Sequence, residues 1–379
     1  MKPFGIYKLV SFYITNSDNH MKLKYFIYSL IFVLFKHPIL AQSTLPVDIA
    51  KETQNRIDKG LHLGTIIGII DKNGTRYYGF GRVSMANKTK PDENSIFEIG
   101  SITKTFTATL LADLEVKGAI SIQKPINTYL PVFGRILSHK NQVITLENLS
   151  THTSGLPREP TNMDANDDHR YRNYTPQDLN AFLTSYKLKS ASQKYRYSNL
   201  GVLIIEHTLE THLKTTYEAL MMKRVIQALG MKDSYFVVPR DKQKRVVKGY
   251  RNHQETAPLD LGQFNAMGGL RSTAKDLLKY LEAQIKPQAS TIQQAIKATH
   301  QIRFSSKKRT MGLGWQIMKR KKSGKTIYYH KGGTNGFVSF AGFDLEAQAG
   351  VVVLVNGRQH FSDLGFRLLD PTYPLTKVK

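Results

Sequence analysis

Ser101-Ile102-Thr103-Lys104 sets a hydroxyl and an amine three residues apart. On a helix that spacing puts both groups on one face, one turn from each other. There the amine can take the hydroxyl proton, and backbone N–H groups at the helix start can face a developing oxyanion. A lysine serves as base only if burial or cationic neighbours lower its pKa enough to leave it neutral. The same Ser-x-x-Lys form recurs at Ser121–Lys124, Ser272–Lys275 and Ser305–Lys308. Placement separates them, because Ser101 follows Gly100 at the start of an expected amphipathic helix. Taken singly, the pair is better read as a helix cap followed by a solvated lysine.

Two further groups have chemical potential. Tyr197-Ser198-Asn199 precedes the apolar run 200–205, although Tyr171–Asn173 and Tyr250–Asn252 share the Tyr-x-Asn form. His330-Lys331-Gly332-Gly333-Thr334 ends an expected strand, and its two glycines keep bulk away from a bound substrate. Other chemistries are excluded by type. The sequence lacks His-Glu-x-x-His, and its 12 histidines show no metal-ligand spacing. It lacks a Gly-x-Ser-x-Gly elbow, and the absence of cysteine removes thiolate zinc, Fe–S and Cys-nucleophile chemistry. Gly324-Lys325-Thr326 has the tail of a phosphate loop, but Lys319 stands where its first glycine is required, so a basic hairpin turn is expected. No metal and no organic cofactor is implied. Ser154 and His152 are expected as turn residues, and Trp315, the single tryptophan, as packing.

The elements that must position these groups follow from periodicity. Residues 63–70 and 75–82 read as two strands joined by a tight turn at Asp71-Lys72-Asn73-Gly74. Ile102, Phe106, Leu110 and Leu114 recur every four residues, so 101–118 reads as a helix ended by Gly118. Helical stretches at 175–186, 201–211 and 217–229 alternate with polar loops such as 157–170. Another helix is expected at 273–284, and strand patterns return at 326–330, 337–344 and 350–356. Strand-rich ends around a helical middle predict an α/β (α+β) fold. One antiparallel sheet would be assembled from both terminal segments, with helices flanking it and a helical insertion between. The expected divisions are a leader at 1–41, an α/β part at 42–120, the helical insertion at 121–264 and a second α/β part at 265–379.

Of 379 residues, 41% are hydrophobic and 22% charged, an ordinary globular composition. From Met21, two lysines precede the apolar run Tyr25–Phe35, and Pro38 precedes Ala41. A charged start, a short apolar stretch and a breaker match a cleaved secretory signal, and the run is well short of the roughly 18–20 residues of a spanning helix. Periplasmic or secreted localisation follows. The formal net charge is +25, but no nucleic-acid motif accompanies it. A solvated basic surface is expected, attracted to anionic envelope polymers or acidic substrates. Nucleic acid is not an expected partner, and oligomeric state is left open.

The order Ser-x-x-Lys, Tyr-x-Asn, basic-x-Gly resembles the serine β-lactamase and penicillin-recognising hydrolase family, on its class C side. Linking stretches strengthen the likeness: Phe97–Gly100, Leu149–Pro157, Tyr197–Gly201, Leu229–Met231, Gly268–Asp276 and Gly312–Trp315, spread over about residues 47–370. The resemblance implies Ser101 as the acylated nucleophile and Lys104 as its proton partner. It implies Tyr197 as the phenol that passes a proton to the leaving nitrogen and later activates water. Asn199 would hold the acyl side-chain amide, with Ser101 and Gly333 N–H groups as the oxyanion hole. It further implies a β-lactam or D-Ala-D-Ala-like substrate, with a class C-like β-lactamase as the first expectation. A D-alanyl-D-alanine carboxypeptidase or esterase, or a penicillin-binding sensor without turnover, are the alternatives.

Departures concern the substrate. His330-Lys331-Gly332 stands where class C enzymes carry Lys-Thr-Gly, and strand alternation should send His330 and Lys331 to opposite faces. His330 is expected to lend partial positive charge near neutrality, making substrate affinity pH-sensitive between about 5.5 and 7.5. Glu159 falls where class C enzymes have a substrate-amide glutamine. No counterpart of the class A deacylating acid is recognisable, so deacylation would lean on Tyr197.

Overall fold

The computed structural model describes residues 44–131, 138–139, 142–164, 170–188, 194–286, 290–359 and 361–378. The expected leader and cleavage point lie outside these residues. The described residues pair eight strands antiparallel in one sheet. They are β1 (Gly64–Asp71), β2 (Gly74–Gly81), β3 (Phe304–Ser305), β4 (Thr310–Met311), β5 (Gln316–Lys319), β6 (Thr326–Gly333), β7 (Val338–Asp344) and β8 (Ala349–Val355). The spatial order is β2-β1-β8-β7-β6-β5-β4-β3, so the first hairpin forms one edge of the sheet and joins the last strand, β8, third from that edge. The expected sheet from both ends of the chain is therefore present.

The valine run explains why β8 is an interior strand. Val351, Val353 and Val355 join Ile67, Ile69 and Phe340 in a core on one face. Val352 and Leu354 join Ile66, Ile70, Ala341 and Phe343 in the core on the other. A strand buried on both faces reads as a continuous apolar run instead of an alternating one. The longer helices are α1 (Val47–Asp58), α2 (Thr103–Val116), α3 (Pro176–Ser185), α4 (Asn199–Leu213), α5 (Ala274–Ile285), α6 (Thr291–His300) and α7 (Ser362–Leu369). α5 packs on β1, β7 and β8, α7 packs on β7 and β8, and α1 lies against α7 and β2. Arg56 of α1 forks onto Asp363 of α7 at 2.8 and 2.7 Å, a bidentate pair that fixes the two together.

The helix carrying Lys104 departs from expectation. A 3₁₀ turn, Gly100–Ile102, holds Ser101, and α2 begins one residue after it. α2 is not amphipathic: every residue from Thr103 to Leu114 is buried. Its threonines make this possible. Thr103, Thr105, Thr107 and Thr109 hydrogen-bond carbonyls three or four residues back, and Thr107 and Thr109 also meet the Tyr217 and Tyr280 hydroxyls at 2.8 and 3.0 Å. Residues that looked like a polar face thus satisfy themselves inside the protein. The expected 217–229 helix also changes character, passing from α at Tyr217–Met221 to a π turn at Met222–Ile226. Trp315 is packing, as expected: it is fully buried, stacked on Tyr280 and edge-on to Phe343.

Candidate active site

Three chain segments meet at Ser101. Gly100 sits at φ +50°, and a Cβ there would lie 2.8 Å from both the N and O of Gly333. Only glycine combines that backbone conformation with that approach, so Gly100 brings the serine turn against the end of β6. Ile99 is held on both sides: its N–H donates to the Leu270 carbonyl, and its carbonyl accepts from the Ser339 hydroxyl at 2.8 Å.

The second segment is the start of α4. Ser198 caps that helix by accepting from the Gly201 N–H, and its hydroxyl donates to the Pro157 carbonyl at 2.6 Å. The N–H groups of Asn199 and Leu200 both donate to the Arg158 carbonyl. The 157–159 loop is therefore laced to the helix start, which fixes Tyr197 and Glu159 together.

Lys104 Nζ lies 3.2 Å from Ser101 Oγ, and the Tyr197 hydroxyl lies 2.8 Å from the same oxygen. The amine also donates to the Met267 carbonyl. Burial pushes the Lys104 pKa down to about 7, with Arg158 lowering it further and Glu159 opposing. Burial pushes the Tyr197 phenol up to about 12, eased by its bond to Ser101 and by the Arg158 guanidinium, which sits 5.1 Å from the ring centroid. At neutral pH the pair therefore offers one accessible base and one intact acid. Environments that separate two pKa values in this way assign acid and base roles.

Burial also places the other expected residues. Asn199 is buried, and its Nδ2 donates to Glu159 Oε1 at 2.7 Å. His330 is buried while Lys331 is exposed, the alternation expected of β6. The expected pH-sensitive charge on His330 is corrected by the structure. Burial, reinforced by the charge of Lys104, pushes its pKa down to about 3, so it is neutral across the range where it was to titrate. Its Nδ1 lies 2.9 Å from the Lys331 carbonyl, which only accepts, so that nitrogen carries the proton. Nε2 is then a bare acceptor, buried and without a hydrogen-bond partner among the described residues. The two glycines also differ. A Cβ on Gly332 would collide with the Ile99 carbonyl and the Ser339 hydroxyl, whereas one on Gly333 meets nothing within 4 Å. Gly332 is required by packing; Gly333 alone leaves open space.

Sequence reasoning missed three contributors. His152, at φ +60°, is a turn residue as expected, but its ring also lies 4.4 Å from that of Tyr197, and its Nδ1 accepts the Ser198 N–H at 3.3 Å. Burial, then Lys104 and His330, lower its pKa and keep it neutral. Arg158 and the Met267 carbonyl were not singled out either. A backbone carbonyl carries no signal in residue type, but Arg158 lies next to the Gly-Leu-Pro that marked Glu159.

Residues 49–369 match the family model described as Beta-lactamase. A β-lactamase of Providencia stuartii is 27% identical over 322 residues, covering 76% of this chain and 80% of the relative. The D-alanyl-D-alanine-carboxypeptidase/endopeptidase AmpH of Escherichia coli K12 is 27% identical over 310 residues, covering 77% and 79%. The crystal structure of a class C β-lactamase from Rhodobacter sphaeroides superposes with a TM-score of 0.70 at 25% identity, over 82% of this chain and 94% of that one. The chain belongs to the β-lactamase family of serine hydrolases.

Proposed function

We propose that this enzyme is an exported class C-like β-lactamase that opens the lactam amide through an acyl-enzyme on Ser101. The observation that carries the reading is the convergence on one oxygen, Ser101 Oγ, of an amine pushed down to about 7 and a phenol pushed up to about 12. Lys104 takes the hydroxyl proton as Oγ bonds to the carbonyl carbon. N–H groups of Ser101 and Gly333 hold the oxyanion. The C–N bond breaks as Tyr197 gives its proton to the nitrogen, and Lys104 returns one to Tyr197. Water then repeats the sequence in reverse, with Tyr197 and Lys104 drawing its proton and Oγ leaving with one. Asn199 faces the acyl side chain, and His330, Gly332 and Gly333 line the β6 wall.

A D-alanyl-D-alanine carboxypeptidase or esterase on this scaffold is the second reading. It is favoured by the neutral His330, which cannot supply the charge of the lysine in Lys-Thr-Gly. Intact Ser101, Lys104 and Tyr197 weigh against a sensor without turnover. The leader reading supports export. Among the described residues, no helix is long and apolar enough to cross a membrane. We propose 42–120 and 265–379 as the two α/β parts around a helical insertion at 121–264, and an anionic envelope polymer as a surface partner of the basic chain. The test sets hydrolysis of a chromogenic cephalosporin beside D-alanine release from an acyl-D-Ala-D-Ala peptide. Faster cephalosporin turnover is expected; peptide release with negligible lactam turnover would replace the first reading by the second.

A further inference from the structure

Glu159 holds a carboxylate within electrostatic reach of the Lys104–Tyr197 pair, and the proposed proton transfer does not use it. Its charge reaches both Lys104 and Tyr197, raising the pKa of each. One oxygen, Oε1, is fully engaged: it accepts from Asn199 Nδ2 at 2.7 Å and from the Tyr171 hydroxyl at 2.9 Å, with Arg158 Nε 3.6 Å away. The other, Oε2, is buried and has no hydrogen-bond partner among the described residues. Asn199 Oδ1 is in the same condition. The two orphans share a cause. A carboxylate only accepts, so Asn199 must turn its NH₂ toward Glu159 and present its carbonyl elsewhere. Two neighbouring buried acceptors, one carrying charge, are left wanting donors. A buried acceptor left unmet is unfavourable, and more so when ionised, so a ligand that supplies protons there recovers that loss. An acyl carbonyl cannot do so, being an acceptor itself. An ammonium can, with three donors and the complementary charge.

We propose that Glu159 and Asn199 form a subsite for a protonated amine on the acyl part of the substrate. The enzyme then prefers substrates with an α-ammonium beside the acyl carbonyl over neutral ones, and disfavours those with an acidic group there. This rests on the acyl-enzyme reading and on the placing of Asn199 at the acyl side. Arg158, with Nε 3.6 Å from Glu159 Oε1, and Lys104 when protonated are the charges that oppose an ammonium there. Arg158 is the one held in direct contact. Its side chain is 66% exposed, so water screens it, whereas the Glu159 side chain is 25% exposed.

The experiment compares Ser101 acylation rates for benzylpenicillin, ampicillin and carbenicillin, which differ at one carbon by H, ammonium and carboxylate. D-alanine p-nitrophenyl ester N-acylated with D-phenylglycine, and the same ester N-acylated with phenylacetic acid, form a second, lactam-independent pair with the ammonium at the position it has in ampicillin. Wild type, Glu159→Gln and Glu159→Asp are measured. Rate ratios are internal to each variant, so a partly folded preparation does not distort them. The ammonium-to-neutral ratio should fall about tenfold or more in Glu159→Gln, persist in Glu159→Asp, and be mirrored by a recovery of carbenicillin in Glu159→Gln. Unchanged ratios between wild type and Glu159→Gln overturn the subsite. If the penicillins leave Ser101 unlabelled while the esters show the preference, the β-lactamase reading fails and the subsite stands. If the esters show no preference, the subsite falls whatever the penicillins do. If neither series acylates Ser101, both fall.

Discussion

The Lys104–Tyr197 side of the cleft is closed on itself, whereas the side formed by Glu159, Asn199 and the β6 wall leaves polar atoms unmet. On the first side each group has its partners: Lys104 meets Ser101 and the Met267 carbonyl, and Tyr197 meets Ser101 under the Arg158 guanidinium. Burial there acts on charge, bringing the amine into range as a base and keeping the phenol an acid. On the second side Glu159 Oε2, Asn199 Oδ1 and His330 Nε2 are buried without partners among the described residues. On the proposed reading, the groups that move protons are preorganised by the protein alone, while the groups that recognise a substrate are completed by it. The family's likeness is strongest on the first side and its departures gather on the second.

The comparison breaks first if the closed side tolerates change. Tyr197→Phe removes the one acid at 2.8 Å from Ser101 Oγ and should lower kcat by about a hundredfold to ten-thousandfold. Turnover within threefold of wild type would take Tyr197 out of the proton path. Gly100→Ala comes next. A methyl group 2.8 Å from Gly333 N and O must push the serine turn away from β6, and such a displacement should cost about a hundredfold in kcat/KM. Unchanged kinetics would mean that this approach does not set the geometry.

Two pH measurements sharpen the contrast with smaller effects. Lys104 is a base only when deprotonated, so acylation should rise with pH through about 7. Well below that point it should fall by about tenfold per pH unit. A profile flat from pH 5 to 8 would contradict the assignment. His330, pushed down to about 3, should add nothing to the profile between about 5.5 and 7.5. His330→Gln should therefore leave its shape unaltered. A limb near 6.5 that disappears in the variant would return the histidine to a charged role.

What the sequence disclosed follows the same division. Ser101 and Lys104 are legible because their relation is local, three residues across the junction of the 3₁₀ turn and α2. β1, β6, β7 and β8 are legible because the apolar runs are long. The short strands β3–β5 have too few residues for a pattern and take their form from what they pack against. Helices α1, α6 and α7 do carry one-sided apolar patterns and were nevertheless not picked out. α2 was misread as amphipathic because a threonine's hydroxyl looks polar until its partner three or four residues back is counted. His330 was misread for a related reason. Residue type gives a reference pKa, but the burial that shifts it arises from the fold around β6 and from Lys104, 226 positions away in sequence. The Asn199–Glu159 contact joins segments 40 positions apart and has no local signature.

The most direct test of the account follows the intact mass of the mature protein after mixing with a penicillin, with Ser101→Ala beside it. The account predicts an adduct of one penicillin mass that requires Ser101 and vanishes as the drug is consumed. A mass increase of equal size in Ser101→Ala, or drug consumption at the wild-type rate by that variant, would contradict it.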